Sequence, residues 1–424
     1  MTQRLPHNIG RTTFACLYRS ITEVLGVLVF ILAPFTWSYI GSAGGLLIRA
    51  VDISLLLLIA MVFLGGRLRK FPPGVPFALL GLIALLLVRS VVHSDPSSTV
   101  AAIKISYYLT GSLVLATVVV NMINVDSNGS VLFAVVISSP VLFLFLMGIG
   151  HVFTELLGSR SLISMSKILF RGWAKLFSQN LFGVSGELEN QGVSFRNSAG
   201  MAFLIAALFF YLMNGFLYRI LMVFFMIIAA AMFSRSVWLF QLLFLTLVIL
   251  KSNASGKFLY LFTFSSLGLA LTIAPDYLDA IYSRVYSDIG RGEKNALAFD
   301  AMERALLIGR EQGALMGTSD GEISYVHNVP LAFALETGLL GFAVTLFIAG
   351  TFLFTASKYF VQILRQKGGD LRTGIVLVIV SALLFFRPMV SASFEIYFSI
   401  GEWCAFALFL ALRSRLSGTL RMLH

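Results

Sequence analysis

The chain has 424 residues, of which 58% are hydrophobic and only 12% charged, with a formal net charge of +11. Soluble domains run nearer a quarter charged, so this composition excludes a soluble globular protein: too little polar surface is available to face water. The positive charge does not mark a nucleic-acid binder either, because the basic residues stand between apolar runs rather than in one stripe.

A bilayer core of about 30 Å takes roughly 20 apolar residues per helix. About a dozen stretches approach this length. In chain order they are 23–40, 46–64, 74–92, 101–123, 131–156, 199–213, 217–233, 235–250, 258–274, 330–355, 373–390 and 396–412. The predicted fold class is all-α: a polytopic transmembrane helical bundle forming a single membrane domain over 1–424. The first apolar run lacks a small-residue cleavage site and reads as a span, not as a signal peptide. Spans one to six do not resemble spans seven to twelve, which speaks against an inverted-repeat transporter.

Basic residues give the orientation. Arg67, Arg69 and Lys70, then Arg219, Lys251, Lys257, Lys358 and Arg365, all fall on the side of the N-terminal arginines, while the short opposite connections hold almost none. The positive-inside rule therefore places both termini in the cytoplasm. Two long segments are then on the non-cytoplasmic side. Segment 157–198 carries Lys167, Arg171 and Lys175 four apart among apolar residues, and reads as a helix lying in the membrane interface. Segment 275–328, between the ninth and tenth spans, is the most polar stretch of the chain, and a loop this long is usually functional.

The residues suited to chemistry gather around that loop. His327 closes it, and histidine is the side chain best able to accept a proton near neutral pH. Asn328 is placed to cap the following helix, with Pro330 in its first turn. Glu336 lies inside the tenth span. It sits roughly 13 Å along the helix from His327, too far to touch it. It is either functional or the buried partner of a helix-end arginine. Gly338 and Gly341 read as a close-packing pair. Arg235 and Arg387 stand at outer span ends, Arg196 precedes the sixth span, and Arg291, Arg304 and Arg310 lie in the large loop. Several outward-facing arginines around one histidine point to an anionic substrate, since guanidinium matches phosphate bidentately. Arg49 and Asp52, three apart on one helix face, read as a pair. His7, His93, His151, His327 and His424 share no metal-ligand spacing, and Cys16 and Cys404 form no CxxC motif, so neither a metal nor another cofactor is expected. P-loop and G-x-S-x-G motifs are absent, which disfavours an ATPase or a serine hydrolase.

The segment HNVPLAFALETGLLG, with GRGEKNALAFDAMERALLIGREQGALMG upstream and FSRSVWL and VSFRNSAGMA earlier, resembles the bacterial O-antigen ligase and polysaccharide polymerase family of polytopic membrane glycosyltransferases. The resemblance covers roughly 193–342. It implies transfer of a glycan from an undecaprenyl-diphosphate carrier to an acceptor sugar hydroxyl at the periplasmic face of the bacterial inner membrane, with no metal or nucleotide sugar. The partners would be that lipid-linked donor, a glycan or lipid A–core acceptor, and membrane lipids. It assigns His327 as general base and Arg235, Arg196 and a loop arginine, Arg291 or Arg304, as diphosphate ligands, with Asn328 and Glu336 in support. Two other classes compete. A flippase or transporter of lipid-linked oligosaccharide would need cations at mid-membrane depth, for which Arg49, Arg89 and Lys104 are the candidates. A non-catalytic envelope assembly protein would not need the dense loop.

Overall fold

The computed structural model describes residues 9–34, 39–43, 46–65, 68–123, 192–213, 215–231, 235–251, 289–302, 309–310, 315–317, 323–326, 328–365, 370–390 and 399–421. These form helices α1 (Ile9–Leu32), α2 (Ala50–Leu64), α3 (Gly74–Val92), α4 (Pro96–Ile123), α5 (Gly192–Leu212), α6 (Phe216–Ala231) and α7 (Arg235–Lys251). They continue with α8 (Ile289–Met302), α9 (Val329–Arg365), α10 (Leu371–Val390) and α11 (Ile400–Arg421). Two small antiparallel hairpins accompany them: β1 (Tyr39–Ala43) with β2 (Leu46–Arg49), and β3 (Leu315–Gly317) with β4 (Ile323–Tyr325). The expected spans 131–156 and 258–274, and the interfacial segment as far as 191, lie outside the described residues.

The chain is a helical membrane protein. Among the described residues Gly74–Val92, Pro96–Ile123, Val329–Arg365 and Leu371–Met389 are each long and apolar enough to cross a bilayer, and Ala50–Leu64, Gly200–Leu212, Phe216–Ala230 and Ser236–Lys251 are shorter apolar helices. The burial pattern has two layers. The first thirteen residues of α11, Ile400 to Leu412, are buried on every side, as are the residues of α5 from Gly200 to Phe210. Helices α2, α3 and α9 instead leave apolar side chains uncovered, among them Leu56, Phe77, Leu80, Phe347 and Phe354. An uncovered apolar face is what a lipid-facing helix carries, because acyl chains solvate it as well as protein does. Within the inner layer small residues allow close approach: a Cβ on Gly401 would stand 3.0 Å from Ala202 of α5.

Three expectations from the sequence are corrected. The first two spans do not meet at a bare loop. Residues 39–40 and 46–49, counted there as helix, pair instead in the β1–β2 hairpin. Helix α2 therefore starts at Ala50, where Asp52 accepts from both the Arg49 backbone N–H (3.1 Å) and the Arg49 Nε (2.9 Å). Segment 192–198, expected to be interfacial, is the start of α5, so Arg196 lies within that helix.

The third correction concerns α9. Its 37 residues would measure about 55 Å if straight, nearly twice the bilayer core. The helix breaks at Gly338, whose φ of 76° and ψ of −167° suit glycine alone. The turn is sharp: a Cβ on Gly341 would lie 3.1 Å from the carbonyl oxygen of Phe333, eight residues earlier. In one straight helix those residues would stand about 12 Å apart along the axis. Gly338 and Gly341 thus serve a bend within one chain segment, not the packing of two spans. The piece before the bend, 329–337, is a short helix buried on all sides, and the piece after it runs on as a lipid-facing span.

Candidate functional site

The short helix 329–337 is tied down at both ends. At its start the Asn328 side-chain oxygen accepts the Leu331 N–H (3.0 Å), an N-cap bond, while the Asn328 carbonyl accepts the Ala332 N–H (2.8 Å). The remaining Asn328 amide donates to the Met389 carbonyl of α10 (3.3 Å). Cap and tether thus share one side chain. A second layer comes from the large loop: Ala298 of α8 packs with Val326, Leu331, Ala332 and Leu335, so the loop helix lies along the short helix.

The end of α10 that receives Asn328 also receives two other helix starts. Arg387 is 3% exposed; its Nε donates to Glu402 of α11 (3.0 Å) and its Nη1 to the Ser236 hydroxyl of α7 (3.2 Å). Glu402 in turn accepts the Ser399 backbone N–H at the head of α11. The last turn of α10 is therefore a junction. Ser236, which follows Arg235, binds it at Arg387, and Asn328, which follows His327, binds it at Met389. His327 itself lies outside the described residues. Arg387, read from sequence as a further outward arginine, is a buried structural tie.

At the other end of the short helix stands Glu336, 7% exposed and paired with Arg89 of α3 at 2.9 Å. Arg89 also binds Asp95 and Ser98 at the head of α4, and its Nη2 donates to the Arg310 carbonyl (3.2 Å). The Arg310 backbone N–H donates to the Leu335 carbonyl (2.7 Å). Gly309, at φ +81°, lets the loop lie directly on the last turn; a Cβ there would be 2.2 Å from the Glu336 carbonyl oxygen. Of the two roles the sequence left for Glu336, partnership with a helix-end arginine is the one its contacts provide. Asp95 sits outside the spans. Partial burial acts to raise its pKa, but hydrogen bonds from the Ser97 side chain and backbone, Arg89 and Ser98 outweigh that and hold it near 2.

The remaining candidates fall as follows. Arg235 opens α7, Arg291 lies in the first turn of α8, and Arg196 lies early in α5. Arg304 lies outside the described residues. Arg49 pairs with Asp52, as their spacing predicts, and binds the Tyr108 hydroxyl as well. Sequence reading missed the two buried networks centred on Arg89 and Arg387. The available signal was the presence of Glu336 and Glu402 inside otherwise apolar helices, where a carboxylate needs a cation. Which acid meets which arginine is decided by packing across the bundle.

Compared with protein-family models, the chain matches none, and no curated protein matches it.

Proposed function

We propose that this protein is a metal-independent membrane glycosyltransferase of the O-antigen ligase or polysaccharide polymerase type. It would move a glycan from undecaprenyl diphosphate to an acceptor sugar hydroxyl at the periplasmic face of the bacterial inner membrane. On this reading the chain crosses the membrane about twelve times with both termini in the cytoplasm, and segment 275–328 is periplasmic. The reading rests on the motif resemblance over 193–342. The observation that best supports it is the junction at the end of α10, where the immediate neighbours of His327 and Arg235 bind one helical turn.

The chemistry asks little of the protein beyond a base and cations. His327 takes the proton of the acceptor hydroxyl as its oxygen bonds to the anomeric carbon. The bond from that carbon to the diphosphate breaks, and the diphosphate leaves with the electron pair. Arg235, with Arg196 and Arg291 or Arg304, stabilises the charge that develops there. A flippase or transporter of lipid-linked oligosaccharide is the competing reading. Of its three candidate cations, Arg49, Arg89 and Lys104, the first two stand at helix ends and are held by Asp52 and by Asp95 with Glu336, which fits structural ties better than a substrate path.

The test is transfer in vitro with purified protein, an undecaprenyl-diphosphate-linked glycan and candidate acceptors, without ATP and with chelator. Transfer is expected to survive chelation and to be lost in His327→Ala with the protein still folded. Normal transfer by His327→Ala would remove His327 as the base, and failure of the wild-type protein to transfer to any acceptor would overturn the reading.

A further inference from the structure

Three stretches far apart in the chain meet at Arg89. One guanidinium contacts Asp95 and Ser98 at the head of α4, Glu336 from the short helix, and the Arg310 carbonyl from the large loop. The loop is gripped on both sides of one residue, because the Arg310 N–H binds the Leu335 carbonyl. The break at Gly338 ends the short helix, and the carbonyls of its last turn then take partners from outside it. The Gly309–Arg310 backbone provides one.

Stability alone is a poor reason for such a cluster. A buried ion pair is often no better than apolar residues of the same size. What a planar five-donor fork adds is geometry, since it fixes several acceptors in one arrangement that an ammonium cannot copy. The arrangement fixed here is specific. The short helix is about 13 Å long. Its first residue follows His327 and Asn328, and its last turn carries the clasp. Helix α8, with Arg291, lies along it, and Arg304 precedes Gly309 by a few residues.

We propose that Arg89 and Glu336 are positioning residues: their buried pair clasps the large loop to the far end of the short helix and so fixes helix α8, which carries Arg291, along the helix that follows His327. The proposal rests on the glycosyl-transfer reading. The clasp itself is measurable without any substrate.

The experiment uses the full chain in lipid nanodiscs, with Arg89→Lys, Glu336→Gln, His327→Ala and the exposed control Arg219→Gln. Two readouts are taken: the rate of tryptic cleavage after Arg310, and transfer kinetics with an undecaprenyl-diphosphate-linked glycan as donor. Glu336→Gln keeps the size and shape of the side chain but removes its charge and one of its two acceptor oxygens, so it serves even where Arg89→Lys does not fold. In both clasp variants cleavage after Arg310 is expected to be at least tenfold faster than in wild type and Arg219→Gln. The apparent KM for the donor is expected to rise at least fivefold, whereas a purely structural defect would lower the amount of active enzyme and leave KM alone. Wild-type cleavage in both variants overturns the clasp. Faster cleavage with wild-type kinetics, alongside an inactive His327→Ala, overturns positioning and leaves the transfer reading standing. Normal transfer by His327→Ala removes His327 as the base and with it positioning relative to His327, whereas failure of the wild-type protein to transfer overturns the transfer reading; in both cases the cleavage rates still show whether Arg89 holds the loop.

Discussion

Removing the Glu402 carboxylate tests the junction at the end of α10 most directly. Arg387 and Glu402 are 3% and 4% exposed, and their bond is 3.0 Å long. In Glu402→Ala a guanidinium stays buried with its carboxylate gone, a change that costs about 3–5 kcal/mol. The Ser399 N–H at the head of α11 also loses its acceptor, which adds about 1 kcal/mol for a lost cap. At roughly 2 °C per kcal/mol, the apparent melting temperature should fall by about 8–12 °C. The double variant Arg387→Met/Glu402→Met removes both charges and fills similar volume, so it should recover to within about 2 kcal/mol of wild type. The assay is thermal unfolding of purified protein in one detergent at one scan rate, since unfolding of a protein this large is read as a rate. Raising salt should change little, because the pair is shielded from solvent ions. The reasoning is refuted if Glu402→Ala loses less than about 1 kcal/mol, or if the double variant is no more stable than the single. Transfer should stay impaired even in the stable double variant, because Ser236, next to Arg235, has lost its tie to α10.

Arg235→Lys should transfer poorly at normal stability, since it keeps charge but loses the bidentate fork; wild-type kcat/KM would leave Arg235 as a simple interfacial anchor. Gly309→Ala should destabilise the loop, because the added Cβ would fall 2.2 Å from the Glu336 carbonyl oxygen. Faster amide exchange at Arg310 would show it, and unchanged exchange would refute the close approach. The folded Asp95 carboxyl titrates near 2 against an ordinary 3.8, so its contribution to stability is complete above pH 4 and is lost as pH falls from 4 to 2. Melting curves across that range should show the step in wild type and not in Asp95→Asn.

Hydropathy made the membrane class legible because it is a local property: a run of about twenty apolar residues has one stable environment whatever its neighbours do. The starts of α3, α7 and α10 follow from where such runs begin, and the Arg49–Asp52 pair follows from a spacing of three on one helix. The Asn328 cap was readable for the same reason, since the N–H that its side chain accepts lies three residues away. Local pattern failed where the chain departs from regular helix for tertiary reasons. Strand β2 reads as the start of a span because its residues are as apolar as those of α2, and only pairing with β1 separates them. The bend at Gly338 sits inside an unbroken apolar run; it exists because 37 helical residues exceed the bilayer and a short helix can be buried whole among α3, α8 and α10. The partners of Glu336 and Arg387 were beyond reach for a further reason. A buried carboxylate in a span must find a cation, so the sequence could require that each have a partner. Which arginine answers depends on which helices stand side by side. That is a property of the assembled bundle, and it joins Glu336 to Arg89 and Glu402 to Arg387.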